Sequence, residues 1–202
     1  MTDFKKTSIL KAFWQFVSRN HGRTFEVQCS VYIATSLDGF IARRDGRIDW
    51  LQTVERTDED YGYQQFRDSI DTVIVGRSTY NQALGFEPWP YAGKRCIVLT
   101  HTVPESKQGE EFYRGSPAVL VQTLSSAGVR RVYVDGGTVI QQFLAAGLIA
   151  DLTISIVPIL LGEGIPLFGM VGREIPLKLV ANRSFESGLV QLEYAASTAK
   201  NR

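Results

Sequence analysis

Residues 132–138 read VYVDGGT and residues 73–79 read VIVGRST. In both stretches, three β-branched or aromatic residues favour a strand. Glycine follows them, directly in the second stretch and after Asp135 in the first, and the next residues can begin a helix. A strand that passes into a helix through one short turn is the repeating unit of a parallel sheet covered by helices. The two stretches therefore predict an α/β protein.

The same pattern, followed outward along the chain, predicts the remaining elements. We expect strands at residues 27–34, 72–75, 95–99, 132–134 and 152–157, and helices at residues 58–69, 78–84, 117–127 and 138–146. Two final strands, at residues 177–183 and 189–195, flank Glu186, Ser187 and Gly188 with no room for a helix, so this pair is a hairpin. The sequence thus predicts a mixed, mostly parallel sheet with an antiparallel C-terminal hairpin.

Composition limits the function classes. The 202 residues are 44% hydrophobic and 21% charged, which suits one core and one domain. A net charge of +1 gives no broad basic field for nucleic acid, and no run of about 18 uninterrupted apolar residues predicts a membrane span. Cys29 and Cys96 lie in apolar runs without metal-ligand spacing, so we expect buried thiols, a cytoplasmic protein and no metal site.

The N-terminus differs in charge from the rest of the chain. Residues 1–23 contain five basic residues and one acidic residue, with apolar residues at helical spacing. We therefore predict a basic amphipathic extension at residues 1–24 and one folded domain at residues 25–202, with the extension dispensable for the fold. A short helix, a transit peptide, a membrane-surface helix and a start codon placed too far upstream all remain open.

Three predicted strand ends carry groups that suit a phosphate. Gly76 and Arg77 offer free backbone N–H groups and a guanidinium at a helix start. Gly136 and Gly137 lack the Cβ atoms that would keep a pyrophosphate away. The strand at residues 95–99 ends in hydroxyl and imidazole groups. One such turn alone is more often only a tight connection. Ligands of open α/β sheets bind at the carboxyl ends of strands, however, so the three turns together predict a nucleotide site.

The order of motifs resembles a known family. Residues 34–42 read ATSLDGFIA, 48–51 read IDWL, 75–80 read VGRSTY, 135–137 read DGG and 158–168 read PILLGEGIPLF. Together they resemble the dihydrofolate-reductase-like proteins that include the C-terminal reductase domain of the bifunctional riboflavin-biosynthesis protein. The resemblance covers about residues 28–195. It implies a three-layer fold, NADPH as cofactor, a small heterocyclic substrate and a homodimer.

The resemblance also implies roles for individual residues. Ala34 and Ile41 are similar to contacts with the nicotinamide end of the cofactor, and Thr100 to a hydroxyl near the adenosine ribose. The residues implied on the phosphate side are Gly76, Arg77, Ser78, Thr79, Gly136, Gly137 and Thr138. Asp135 and Thr138 depart from dihydrofolate reductases, which commonly have a further glycine and a basic or polar residue there. Since an acid can repel pyrophosphate and a cation is missing, NADH remains an alternative to NADPH.

The implied activity is an NAD(P)H-dependent reductase that transfers a hydride to a pteridine- or pyrimidine-like molecule, resembling 5-amino-6-(5-phosphoribosylamino)uracil reductase. The carboxylate of dihydrofolate reductases has no clean counterpart after Trp50, where Glu55 is the nearest acid. The zinc signature of the deaminase half of the riboflavin enzyme is missing from this sequence. A nucleotide-binding protein without catalysis and a true dihydrofolate reductase are the alternatives.

Asp49, in the IDWL motif, is the predicted catalytic residue. Hydride addition leaves negative charge on the substrate, so a nearby acid that positions or protonates it lowers the barrier. Asp49 follows a glycine-containing loop at residues 43–47 and precedes Trp50, which can shield the site from water. Capping of the following helical turn is an equally good interpretation of Asp49, in which case Glu55 or an ordered water supplies the proton.

Overall fold

The computed structural model describes residues 26–102 and 104–196. The strands within these residues are β1 Gln28–Ser36, β2 Phe40–Ala42, β3 Thr72–Gly76, β4 Arg95–Leu99, β5 Glu111–Tyr113, β6 Arg131–Asp135, β7 Ile149–Val157, β8 Ile165–Pro166, β9 Leu177–Ser184 and β10 Val190–Ala196. The helices are α1 Tyr63–Asp68, α2 Arg77–Ala83, α3 Pro117–Ser126 and α4 Gly137–Ala145, with a 3-10 helix at Asp49–Val54. The predicted extension at residues 1–24 lies outside the described residues and stays a prediction.

Eight of these strands form one sheet in the order β5-β4-β3-β6-β1-β7-β10-β9, while β2 pairs with β8. Neighbours from β5 to β7 are parallel. Strand β10 is antiparallel to both β7 and β9. The turn between β9 and β10 is closed by the N–H of Phe185, which donates to the carbonyl of Leu189 at 3.0 Å. The predicted mixed sheet with its antiparallel C-terminal hairpin is therefore confirmed.

Helices cover both faces of the sheet and complete three layers. Phe66 of α1 and Tyr80 of α2 are buried in the core on one face. Leu124 of α3 and Phe143 of α4 are buried in the core on the other. Successive residues of β3 alternate between the two cores, because side chains of a strand point alternately to opposite faces. The apolar runs seen in the sequence are the strands that are buried on both faces.

The helix predicted at residues 58–69 is shorter than expected, because α1 begins only at Tyr63. Tyr61 and Gly62 have φ values of 58° and 85°, in the left-handed region that a right-handed helix does not include. Asp60 stabilises this turn, since its carboxylate accepts hydrogen bonds from the N–H groups of Gly62 and Gln64 at 2.9 and 3.0 Å. The prediction for the first five residues was wrong because a side-chain acceptor competes there with the helix.

A polar cluster joins β1, β6 and β7 at the end of the sheet opposite the strand ends that carry the glycine turns. Arg131 donates from Nε to Ser30 at 2.9 Å, and from its two Nη atoms to Ser69 at 2.8 Å and Asp151 at 3.2 Å. Asp151 also accepts from Ser30 at 2.9 Å and from Gln28 at 2.7 Å. The side chains of Arg131 and Asp151 are only 27% and 24% exposed, so water compensates poorly for a lost partner.

We expect the substitution Arg131→Leu to lower the free energy of unfolding by about 1–3 kcal/mol, because it leaves Asp151 partly buried without its cation. Arg95→Leu is the matched control, since Arg95 pairs with Glu111 at 2.7 Å but both side chains are about half exposed. This surface pair is expected to contribute only about 0–1 kcal/mol. Urea unfolding of the parent and both variants measures the change in the free energy of unfolding. Equal changes in the two variants would contradict the larger contribution expected from the contacts of Arg131.

Candidate active site

A large cleft of about 1680 Å³ crosses the carboxyl ends of the central strands. The turn after β6 lies in its middle, the ends of β3 and β4 form one side, and β1, β7 and the 3-10 helix form the other. The predicted site residues all line this cleft: Ala34, Ile41, Asp49, Gly76, Arg77, Ser78, Thr79, Thr100, Gly136, Gly137 and Thr138. The fold thus brings together the residues that the motifs had singled out, and their ligand remains a prediction.

The two glycine turns pack directly against each other. Gly136 has a φ of 94°, in the left-handed region, and a Cβ atom built there would overlap the side-chain oxygen of Thr79. A Cβ atom at Gly137 would lie 3.0 Å from the Cδ1 atom of Ile41. No side chain in the described part of the chain caps α2 or α4, so their first N–H groups remain available at the cleft. Glycine is therefore required at the point where a phosphate would meet α4.

Arg77 supplies an unsatisfied donor to this side of the cleft. One Nη atom of its guanidinium is buried and has no hydrogen-bond partner among the described residues. The guanidinium carbon lies 5.7 Å from the centre of the Tyr80 ring, on the α2 helix that Arg77 begins. A buried, unpaired guanidinium nitrogen is costly, and an anion such as phosphate would satisfy it. The residues present therefore suit the phosphate of a dinucleotide.

A second cation, Arg114, lines the same side of the cleft and was missed in the sequence. It follows β5, a strand of three residues that is too short to give a clear periodic pattern. Thr100 and His101, at the end of β4, lie along the same side. No acidic side chain lines the cleft at the ends of β3, β4 and β5 in the described residues. This side is therefore positively charged.

Asp135 is the acid that the sequence placed beside the predicted pyrophosphate. In the structure its carboxylate accepts a hydrogen bond from the hydroxyl of Tyr91 at 2.8 Å. Burial of the carboxyl group raises the pKa of Asp135 above its usual range, although its contact with Tyr91 acts in the opposite direction. The residue also lines the cleft. Asp135 is thus a partly exposed acid that can hold a proton at a pH where surface carboxylates are ionised.

Asp49 begins the 3-10 helix, where Ile48 holds the capping position and no side chain makes a capping hydrogen bond. The capping interpretation of Asp49 is therefore wrong. Its carboxylate instead accepts two hydrogen bonds from Arg43, at 2.8 Å from Nε and 3.0 Å from Nη2. The Arg43 guanidinium holds the pKa of Asp49 below its usual range. Asp49 is consequently ionised near neutral pH, which suits a positioning group better than a proton donor.

An open cleft at the carboxyl ends of a mixed, mostly parallel sheet, with two uncapped helix starts facing it, defines an α/β protein of the dihydrofolate-reductase-like class. A family model described as the RibD C-terminal domain matches residues 29–191, and the chain belongs to this family.

Individual relatives agree with this assignment. The chain is 38% identical over 168 residues to the uncharacterized protein YwjB of Bacillus subtilis (strain 168), over 81% of this chain and 95% of that protein. A crystal structure from Shewanella sp. PV-4, whose name assigns it to riboflavin biosynthesis, has a TM-score of 0.80 and 34% identity over 85% of this chain and 99% of that one. Dihydrofolate reductase from Enterococcus faecalis, at 16% identity and a TM-score of 0.59, shares the fold over 85% of this chain and 98% of its own.

None of the helices in the described residues is long and apolar enough to cross a membrane. Residues 26–102 and 104–196 also contain no group of three or more histidine, cysteine, aspartate or glutamate side chains that could hold a metal ion. Cys29 and Cys96 are buried free thiols, and burial raises the pKa of each to about 12.

The contact between the two glycine turns predicts a specific loss of stability. Gly128→Ala is the control, because Gly128 has a φ of 82° and no atom within 4 Å of the added Cβ, so it costs about 1–2 kcal/mol of backbone strain. Gly136→Ala adds the overlap with Thr79, and we expect a total of about 2–4 kcal/mol. Urea unfolding compares the two variants. Adding Thr79→Ala to Gly136→Ala should recover part of the stability lost through the overlap. No recovery would contradict the close contact between Gly136 and Thr79.

Proposed function

We propose that the protein is an NADPH-dependent reductase that transfers a hydride to a pteridine- or pyrimidine-like small molecule. The observation that carries the proposal is one cleft with two distinct features: Arg77, which has one buried and unpaired guanidinium nitrogen, on one side, and the carboxyl group of Asp135, whose pKa is raised by burial, at its centre. The first suits a cofactor phosphate, and the second suits a reaction that consumes a proton. Membership of the RibD C-terminal domain family supports this chemistry.

The cofactor would lie across the carboxyl ends of β4, β3 and β6. Arg77, Arg114 and Thr100 would hold its adenosine and phosphate end, since they make one side of the cleft positive. The N–H groups at the start of α4 would meet the pyrophosphate. Ala34 and Ile41 line the neighbouring part of the cleft and would contact the nicotinamide, which supplies the hydride. Two arginines favour the additional phosphate of NADPH over NADH.

The reduction also requires a proton, because hydride addition to a C=N or C=O group leaves an electron pair on the heteroatom. We propose that Asp135 supplies this proton, since burial keeps it protonated to a higher pH than an ordinary aspartate. Asp49, held ionised by Arg43, would position the substrate or the loop that carries Arg43. Asp49 thus keeps the positioning role that the sequence predicted for it, and Asp135 takes the role of proton donor.

The cofactor proposal predicts weaker binding when the cations are removed. Charge-assisted contacts are worth about 1.5–3 kcal/mol, so Arg77→Ala should weaken NADPH binding by roughly one to two decades. Arg114→Ala should weaken NADPH more than NADH. Arg130→Ala, outside the cleft lining, is the control and should leave both affinities unchanged. Titration calorimetry measures all three variants. Unchanged NADPH affinity in Arg77→Ala, or no binding by the parent, would overturn the proposal.

The proton proposal predicts different losses for the two acids. Asp135→Asn keeps the shape of the side chain but has no proton to donate, so we expect turnover to fall by about 10²–10⁴-fold with NADPH binding intact. Asp49→Asn should weaken the ion pair with Arg43 and change KM more than kcat. NADPH oxidation is followed by absorbance with a panel of pteridine and pyrimidine substrates. Equal turnover in Asp135→Asn and the parent would exclude Asp135 as the donor.

The same assay separates the alternatives. NADPH that is bound but not consumed with any substrate of the panel would favour a nucleotide-binding protein without catalysis. Preferential reduction of dihydrofolate would favour a true dihydrofolate reductase.

The homodimer and the cytoplasmic location implied by the family stay predictions. Three exposed apolar side chains of the edge strand β9, Leu177, Leu179 and Val180, support a second copy as the partner.

A further inference from the structure

Charge is distributed unevenly along the cleft. The side formed by the ends of β3, β4 and β5 is lined by Arg77 and Arg114 and, within the described residues, by no acid. The opposite side is formed by β1, β7, the 3-10 helix and the segment that leads into α1. That side is lined by Glu55, Glu59 and Asp60. The two ends of one cleft therefore present opposite charges to a bound molecule.

One arginine, Arg56, lies on the acidic side, and it pairs with Asp58 at 3.2 Å and with Glu186 at 3.8 Å. Arg47 lines the cleft from the loop before the 3-10 helix and pairs with Asp45 at 2.6 Å. Carboxylates therefore offset the charge of both arginines, and the acidic side keeps a net negative charge. The described lining of this side contains no lysine.

The acids of this side are held in place without a cation. Glu59 accepts a hydrogen bond from the N–H of Tyr61 at 2.6 Å. Asp60 accepts from two backbone N–H groups, and these bonds lower the pKa of its carboxyl group. Glu55, Glu59 and Asp60 form no ion pair among the described residues. Their negative charge is fixed at the rim rather than cancelled, and it repels anions over about a Debye length.

Aromatic rings line the wall between these acids and Asp135. Tyr32 and Tyr63 have ring centres 5.7 Å apart, and Tyr61 and Tyr133 line the same part of the cleft. Gln191 orders this wall, since its side-chain nitrogen donates to the hydroxyl of Tyr32 at 2.9 Å and to the carbonyl of Tyr61 at 3.0 Å. Flat aromatic surfaces suit a planar heterocycle, and the hydroxyls of Tyr32, Tyr61 and Tyr133 hold the rings in place because they donate to backbone carbonyls.

We infer that the substrate is a planar heterocycle that is neutral or positively charged and carries no phosphate group. The inference rests on the proposed function, because it assigns the positive side of the cleft to the cofactor and the acidic side to the substrate. A phosphorylated substrate would have to place a dianion against Glu55, Glu59 and Asp60, beside a single arginine, Arg56, that already has two carboxylate partners. The cleft thus departs from what a phosphoribosylamino-uracil would require.

The experiment compares matched probes that differ in charge. Uridine, uridine 5′-phosphate and 2,4-diaminopyrimidine, the last at mildly acidic pH where it is cationic, are titrated by calorimetry into the protein saturated with NADPH, so that the positive side of the cleft is occupied. Uridine and the diaminopyrimidine are also titrated without NADPH. We expect uridine to bind about tenfold or more tightly than its phosphate at low ionic strength, and the ratio to shrink in high salt. The cationic diaminopyrimidine should bind more weakly as salt rises.

A charge-neutral variant tests whether the three acids cause the preference. Glu55→Gln, Glu59→Gln and Asp60→Asn combined keep the side-chain carbonyl acceptors but remove the charges, so the ratio of the two uridine affinities should fall toward one. The control removes three exposed acids outside the cleft lining, by Glu105→Gln, Glu111→Gln and Glu174→Gln, and should leave the ratio unchanged. Thermal unfolding checks that both variants are folded.

The inference is overturned if the phosphate binds as tightly as uridine, if the ratio is unchanged in the cleft variant, or if neither uridine nor the diaminopyrimidine binds. These outcomes are distinct from failure of the proposed function. That failure appears as absent NADPH binding or absent NADPH consumption, whereas the probe affinities are also measured without cofactor.

Discussion

The close contact between the turns after β3 and β6 is the constraint on which the site depends. Gly136 can lie against Thr79 only because it has no side chain and adopts a left-handed backbone conformation. This contact places the start of α4 beside the start of α2, so the unpaired N–H groups of two helices and the guanidinium of Arg77 meet at one edge of the sheet. The parallel strands bring these turns to the same edge of the sheet, and the missing glycine side chains let the turns approach each other.

The same turn determines the chemistry of the neighbouring acid. Asp135 is the last residue of β6, and the change of direction at Gly136 leaves its carboxyl group beside Tyr91 rather than in solvent. A group in this position loses hydration, which favours the neutral form of the carboxyl group and raises its pKa. Under the proposed function, adjacent residues of one strand-to-helix turn would bind the phosphate and supply the proton.

Much of the fold could be predicted because β-branched runs and glycine turns are local signals. The long strands and α3 follow from them, including the cap of α3, where the hydroxyl of Ser116 accepts from the N–H of Val119. The strands β2, β5 and β8 have three residues or fewer, too short for a periodic pattern, and Arg114 was missed with β5. The pairing of Asp49 with Arg43 and the burial of Asp135 depend on side-chain direction and on distant residues, which a local pattern does not contain.

The position of β1 in the middle of the sheet has a consequence for how the protein is made. Ser30 of β1 meets Arg131 of β6 and Asp151 of β7, which follow it by 101 and 121 residues. At a synthesis rate of about 5–20 residues per second, β1 leaves the ribosome roughly 5–25 seconds before either neighbour exists. Its apolar edges are exposed for that interval, and contacts so distant in sequence also slow folding itself. The strand near the middle of the finished sheet therefore gains its neighbours only late in synthesis.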